Sequence, residues 1–554
     1  MANRGRFGQN PPVTDDRADR ATLASIALAT AAQAAFFAFD ERIPRDPMMT
    51  GTKLIDAWER LGEAPGAALI AAAVDRAGWY HLAVAGLLRI HRAPWVLEGV
   101  FLGWLLVILA ATAAIGRTTG GPRAGLAATW LAIGLPPVLL FTRQSWVHVP
   151  EAGLGLALAA IVLGDPALRR LRTVAAAAAI GLLMIRLRPS GLIQLVAIGA
   201  ALAVARDGWR RVGLVAATWT AASVWTAATM GPYLSAKGPP GLFHERPLGW
   251  LVEQVPQTTG WLGGCALAIA AAAAAIHRPR PERPALAWLV AAGSLPLLLM
   301  MRYRSGSHDF TFWGPTLAVA GALSLSRTPA GLAVAAAAAL VALVAPFVPG
   351  GVGARLRDAL GPHDLPAPLD LRSPRVDWGA EIVHEALDAA CLGPGKGSCH
   401  ILAPSGLFYP LRNEDLGNLE LFLMAEDRVQ LRALGDAPPR GFAAWRVDAM
   451  AVWDCGAEDA WGYDKHPDLG LRTVEAAQQL GLSPAVSVDV GPCTWHWLVS
   501  PRGAAHPEAL PSGGGRAWDP AGIARRNQAW LDEHPDQRGR TLLPRASRLR
   551  GEAL

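Results

Sequence analysis

Lysine is nearly missing from this 554-residue sequence, and cysteine is scarce at five residues. Charged residues make up only 17% of the chain, and almost all of its cations are arginines. They sit mainly in short loops between apolar blocks, which suits a membrane topology and argues against nucleic-acid binding despite the formal charge of +6. No Cys-x-x-Cys pair occurs, so a zinc site has little to stand on. No Gly-x-x-x-x-Gly-Lys-Ser/Thr pattern occurs either, and Gly116, Gly120 and Gly121 read as a turn rather than a nucleotide loop. No internal repeat is visible, which argues against the repeat-built transporters.

What remains is strongly apolar. Hydrophobic residues make up 52% of the chain and the mean hydropathy is +0.26. The apolar residues come in blocks that fill roughly the first 350 positions, so a membrane region precedes a soluble domain. Residues 1–21, with Arg4, Arg6, Arg17 and Arg20, read as a short disordered cytoplasmic tail. The run from Thr22 to Phe39 resembles a signal peptide, but it is longer than the usual apolar core and more spans follow. It reads as a retained first helix.

Residues 40–93 hold no span-length run. Ile55 to Leu61 and Ala67 to Val74 look like short amphipathic helices, and Trp79-Tyr80-His81-Leu82 leads into Leu87-Leu88-Arg89-Ile90. Trp and Tyr favour the membrane–water boundary, so this segment reads as one external loop lying along the surface. Further spans then fall at 95–115, 124–142, 151–164, 173–185, 189–205, 212–230, 259–276, 285–301, 311–326 and 329–348. That gives about eleven transmembrane helices. Arg117, Arg123, Arg169, Arg170, Arg172, Arg206, Arg210, Arg211, Arg278, Arg280, Arg283 and Arg327 land on the cytoplasmic side, as the positive-inside rule requires. The exceptions lie outside, at the mouths of spans: Arg143, Arg186, Arg188, Arg302 and Arg304. Charge at such positions is a functional candidate by default, although Arg186 and Arg188 could simply snorkel.

The transmembrane region is thus 22–348, and Pro, Gly and charge mark 349–378 as a linker. Residues 379–501 look like a small external α/β domain. Its strands fall near Cys399–Ala403, Ala449–Trp453 and Thr494–Val499, and its helices near Glu381–Ala390 and Val474–Leu480. Residues 502–554 read as a mostly flexible tail with one helix near 521–533. Cys391, Cys399, Cys455 and Cys493 suggest two disulfides in an oxidising compartment, with 391–399 and 455–493 one of three connectivities. The chain is therefore expected to be a multi-pass α-helical protein of the inner (plasma) membrane. Its N-terminus is cytoplasmic and its C-terminal domain periplasmic.

The first span ends in Phe36-Phe37-Ala38-Phe39-Asp40-Glu41. Carboxylates at the membrane surface can bind a divalent metal, or take a proton from a polar acceptor while an apolar tail stays in lipid. They can also be two solvated residues that mark a helix end. Later external loops add Arg143…His148…Glu151 and Arg302-Tyr303-Arg304.

The order of these pieces resembles the GT-C superfamily of polyprenyl-phosphate-sugar-dependent glycosyltransferases, which includes protein O-mannosyltransferases and bacterial lipid A aminoarabinose transferases. The resemblance rests on Asp40-Glu41, on Gly78-Trp79-Tyr80-His81-Leu82-Ala83, and on Gly116-Arg117…Gly121-Pro122-Arg123-Ala124. It continues through Arg143…Pro150-Glu151 and Gly153-Leu154-Gly155-Leu156. It implies that Asp40 is the catalytic base, with Glu41 and Glu151 positioning the acceptor. Asp40, Glu151 and His148 become candidate ligands for a divalent metal, Mg or Mn. Arg143, Arg186, Arg188, Arg302, Tyr303 and Arg304 become candidates for the donor phosphate, since guanidinium forks match phosphate oxygens. The implied partners are membrane lipids, a polyprenyl-phosphate-linked sugar donor, and a lipid, glycan or protein acceptor, with inversion at the sugar carbon. The competing readings are a transporter or flippase, and a non-catalytic membrane protein with an external binding domain.

Overall fold

The fold is described from a computed structural model, for residues 15–39, 54, 57–58, 60–62, 64–75, 77–91, 94–143, 147–188, 190–205, 208–237, 248–279, 281–300, 310–360, 399–404, 429–434, 449–454, 474, 477–478, 480–490, 493–500 and 515–533. Asp40, Glu41, Arg302, Tyr303 and Arg304 lie outside these residues, as do Cys391 and Cys455, and with them both disulfide pairings. The chain divides into two compact units. One comprises Met1–Gln33, Leu102–Thr142 and His148–Pro362, and the other Ala34–Phe101, Arg143–Val147 and His363–Leu554.

The helices follow the apolar blocks. In chain order they are α1 (Asp16–Phe39), α2 (Pro65–Val74), α3 (Gly78–Ile90), α4 (Pro94–Gly120), α5 (Pro122–Gly134), α6 (Pro136–Phe141), α7 (His148–Gly164) and α8 (Leu171–Leu187). Then come α9 (Gly191–Val204), α10 (Trp209–Lys237), α11 (Leu248–His277), α12 (Arg283–Met300), α13 (Phe310–Leu325), α14 (Pro329–Val344) and α15 (Gly350–Ala359). Every expected span coincides with one of these helices. The span expected at 124–142 is divided between α5 and α6, because Pro136 cannot continue a helix. Among the described residues, four helices are long and apolar enough to cross a membrane: Asp16–Phe39, Trp95–Gly120, Gly260–His277 and Pro329–Phe347. In α11 that stretch begins at Gly260, where a φ of 65° kinks the helix.

Lipid offers no hydrogen bonds, so hydroxyls in these helices must be satisfied within the protein. They donate one turn back: Thr22 to the Ala18 carbonyl, Ser25 to Ala21, Thr112 to Ile108, Thr129 to Gly125 and Thr316 to Phe312. Other polar groups tie helices together. Trp130 Nε1 on α5 donates to Ser25 Oγ on α1 at 2.8 Å. Gln33 of α1, only 1% exposed, donates to the Leu139 carbonyl of α6 at 3.1 Å.

Two segments expected to lack structure have it. The first helix begins at Asp16, inside the expected 1–21 tail. Asp16 and Asp19 suit the positive end of the helix dipole. Asp15 and Asp19 also pair with Arg123 and Arg117, each at 3.1 Å. The Arg123 bond, joined by the Ala18 amide, holds the exposed Asp15 carboxyl below its ordinary value. The expected linker opens with α15.

The loops assigned by arginine to one side of the membrane also contact one another. Arg211 donates to the Leu168 carbonyl at 2.7 Å and to that of Arg169, and Arg327 donates to the His277 carbonyl at 2.9 Å. Between α7 and α8, burial pushes the Asp165 carboxyl up. The amides of Arg170 and Arg169, each donating at 3.0 Å, outweigh that and hold it below its ordinary value.

In the second unit, α2 and α3 occupy the expected surface loop. At 13 residues, α3 is about 20 Å long, too short to cross a bilayer. Leu69, Ile70 and Ile90 are exposed on these helices, which suits a surface-lying pair. Arg89, in the last turn of α3, anchors the preceding segment. Its Nε and Nη2 donate to the Trp58 carbonyl at 3.1 and 2.6 Å, and its guanidinium stacks 3.6 Å from the Trp58 ring centroid.

Among the described residues the same unit holds five strands: β1 (Cys399–Pro404), β2 (Val429–Leu434), β3 (Ala449–Asp454), β4 (Ser483–Val490) and β5 (Cys493–Val499). They form one mixed sheet in the order β2-β1-β3-β5-β4, parallel among β2, β1 and β3 and antiparallel from β3 onward. Sequence reading missed β2 and β4. The final helix, α16 (Pro520–Glu533), matches its expected place. The residues before it dock rather than trail. The Gly515 amide donates to the Ser487 carbonyl at 2.9 Å, and the Trp518 ring meets His496 edge-on at 5.1 Å.

Candidate active site

Two helix ends carry the charged candidates of the first unit. Glu151 lies in the first turn of α7, where the helix dipole favours an anion. Arg186 lies in the last turn of α8, where it favours a cation. Arg188 follows as the C-cap, in extended backbone with φ −154° and ψ 144°. The next residue in sequence is Pro189, and a residue before proline is driven out of the helical region.

This break splits the two arginines between different partners. Arg188 Nη1 donates to Glu151 Oε2 at 3.2 Å. Both residues are dry, Glu151 at 4% exposure and Arg188 at 8%. Arg186 Nη1 instead donates to the hydroxyls of Thr226 at 3.3 Å and Thr229 at 3.0 Å, both on α10. Its guanidinium carbon lies 5.6 Å from the Trp225 ring centroid, within cation–π range. Arg188 thus faces a full negative charge and Arg186 faces neutral hydroxyls and a π face.

One turn along α7 from Glu151, the same helix face carries Gly155. A β-carbon there would meet the side-chain amide of Gln194, so α9 brings its one polar side chain against α7 at this glycine. Gln194 is 5% exposed, and its Oε1 has no hydrogen-bond partner among the described residues. The same holds for Oγ of Ser190, at the start of α9. Sequence reading missed Ser190, Gln194, Trp225, Thr226 and Thr229. The signal was present for Gln194, a lone amide in the run GLIQLVAIGAALAV, where a polar residue in a span is a functional candidate.

His148 opens α7 and is half-buried, three residues ahead of Glu151. Among the described residues no three His, Cys, Asp or Glu side chains form a metal-binding group. The Glu151–Arg188 pair does not fit a divalent cation, because the guanidinium already supplies the positive charge at that carboxylate. A metal held by Asp40, Glu151 and His148 turns on Asp40, outside the described residues.

Arg143 belongs to the second unit, where it is 4% exposed. Its guanidinium carbon stacks 3.4 Å from the centroid of the Phe36 ring. Phe36 is fully buried near the end of α1, and the adjacent Phe37 packs against Phe101 with ring centroids 6.2 Å apart.

No protein-family model matches the sequence, and no curated protein matches it. Solved structures do match in three dimensions, two states of one protein among them. ArnT from Cupriavidus metallidurans bound to undecaprenyl phosphate is 12% identical, with a TM-score of 0.51, over 86% of this chain and 97% of ArnT. The apo state of the same protein is 14% identical, with a TM-score of 0.53, over 88% of this chain and 98% of ArnT. ArnT is a GT-C enzyme. The fold of this chain is therefore GT-C-like. At such identity the likeness speaks to the fold alone, and it spans nearly the whole of ArnT. Within that fold the structure brings Glu151, Arg186 and Arg188 to neighbouring helix ends and seats Arg143 on Phe36 in the other unit.

Proposed function

We propose that the chain is a membrane glycosyltransferase of the GT-C type, moving a sugar from an undecaprenyl-phosphate-class donor to a lipid, glycan or protein acceptor at the external face. The observation that carries this reading is the dry Glu151–Arg188 pair beside Arg186, at the ends of membrane helices in a GT-C-like fold. Undecaprenyl phosphate bound to ArnT supports the donor class.

The reaction is a single displacement. The acceptor oxygen or nitrogen attacks the anomeric carbon as the bond from that carbon to the phosphate oxygen breaks. The electron pair leaves with the phosphate, and the acceptor's proton passes to the Asp40 carboxylate. One displacement inverts the anomeric centre. A phosphate leaving group is already a stable anion, so no strong general acid is required. The site supplies a base, orientation and positive charge. Arg188 and Arg186 serve the phosphate, and no step runs through a metal.

The test uses the purified full chain with a panel of undecaprenyl-phosphate sugars and an acceptor extract, scoring free undecaprenyl phosphate. Release by the native protein that Asp40→Asn reduces at least a hundredfold, with the fold intact, bears the reading out. Equal release by the variant removes Asp40 from the mechanism.

A further inference from the structure

Arg188 has been given two anions to serve, the carboxylate of Glu151 and the phosphate of the donor. Both are negative, both approach one guanidinium, and the site is shut off from water that could screen them. The phosphate can take this guanidinium only by competing with a carboxylate that already holds it at 3.2 Å. Arg186 reaches the hydroxyls of Thr226 and Thr229.

We propose that Glu151 is a latch on Arg188. Glu151 holds the guanidinium until a donor phosphate takes it, and only then is the carboxylate released to engage the acceptor. The latch rests on the donor reading above and adds an order to it, donor first and acceptor second. Glu151 is then a positioning residue that works through Arg188. Its charge opposes donor binding, so the donor in turn loosens Glu151, because coupling between two binding events is reciprocal. An acceptor that arrives early meets a carboxylate already occupied, which protects the donor from transfer to the wrong nucleophile. Gly155 and Gln194 adjoin this contact on the same face of α7, so the helix that carries the latch is packed on α9 one turn away.

The experiment measures binding of undecaprenyl phosphate to the full chain in lipid nanodiscs, for the native protein, Glu151→Gln, Arg188→Gln and the double variant. Glu151→Gln should bind about tenfold tighter and Arg188→Gln about tenfold or more weaker, and the gain from Glu151→Gln should vanish in the Arg188→Gln background. Glu151→Asp, which keeps the charge but draws it back by one methylene, should tighten binding in the same direction by a smaller factor, and it serves if Glu151→Gln does not fold. Native binding with no tightening in either Glu151 variant overturns the latch and leaves the donor reading standing. Equal tightening in the Arg188→Gln background also overturns it, since the effect would then be general charge removal. Absence of binding in every protein overturns the donor reading and the latch with it.

Discussion

The Leu139 carbonyl next to the α5–α6 break receives two side-chain donors, Gln33 Nε2 at 3.1 Å and Thr142 Oγ1 at 3.1 Å. That arrangement predicts non-additive stability. Gln33→Leu removes one donor and leaves the other, so it should cost about 0.6 kcal/mol, typical of a hydrogen bond between membrane helices. Thr142→Val should cost a similar amount, because its hydroxyl also donates to the Val138 carbonyl at 2.8 Å and loses both bonds within its own helix. The double variant strips both side-chain donors from a buried carbonyl beside a proline break. It should cost about 1–3 kcal/mol more than the sum, the penalty of leaving a buried acceptor under-served. A double-mutant cycle of reversible unfolding in mixed micelles reads the difference directly. Additivity within about 0.3 kcal/mol would refute the reasoning and mean that the two donors do not share the carbonyl.

Two further stability predictions follow from the same kind of contact. Gly155→Ala should change stability by less than about 1 kcal/mol, because the groups a β-carbon would meet are the ends of the flexible Gln194 and Met184 side chains, whereas Gly155→Leu should cost about 1–3 kcal/mol through overpacking, read in the same unfolding assay. Asp165→Ala should cost about 1 kcal/mol at neutral pH, because it strips a cap from the amides that lead into α8. The folded-state pKa of Asp165 is depressed, so its contribution is fully present above the unfolded carboxylate value of about 3.9 and is lost as pH falls through the lower folded value. Thermal scans should therefore show the native protein and Asp165→Ala differing at pH 7 and converging only below about pH 4.

Much of the fold was legible because the bilayer imposes length. Each apolar block yields a helix at its expected place, although α10 and α11 run beyond theirs, and the arginine pattern groups loops that turn out to touch, as Arg211 with Leu168 and Arg327 with His277 do. The helix start at Asp16 was missed because those residues are polar, and their order comes from distant partners, Arg117 and Arg123. Strand β4 was hidden by Pro484 at its start, although Val486, Val488 and Val490 alternate with Ser487 and Asp489 as a half-buried strand should. In the site, Arg186 and Arg188 stood out as charges against the topological rule, and Glu151 through the resemblance at Arg143…Pro150-Glu151. The division of the two arginines between α7 and α10 did not, because it depends on the extended backbone of Arg188 and on neutral threonines that composition does not flag.

The docked segment at 515–518 changes what the end of the chain is for. The strand order leaves β4 at one edge of its sheet, and an uncovered edge invites pairing with another chain. Gly515 donates to Ser487 on β4, the Arg516 amide reaches Thr494 Oγ1 on β5 at 3.4 Å, and Trp518 meets His496. These residues act as a strap across the last hairpin. A truncation just after Ser500 would discard the strap while keeping every described strand, trading a shorter protein for one that self-associates. A truncation after Glu533 would keep the strap and remain dispersed.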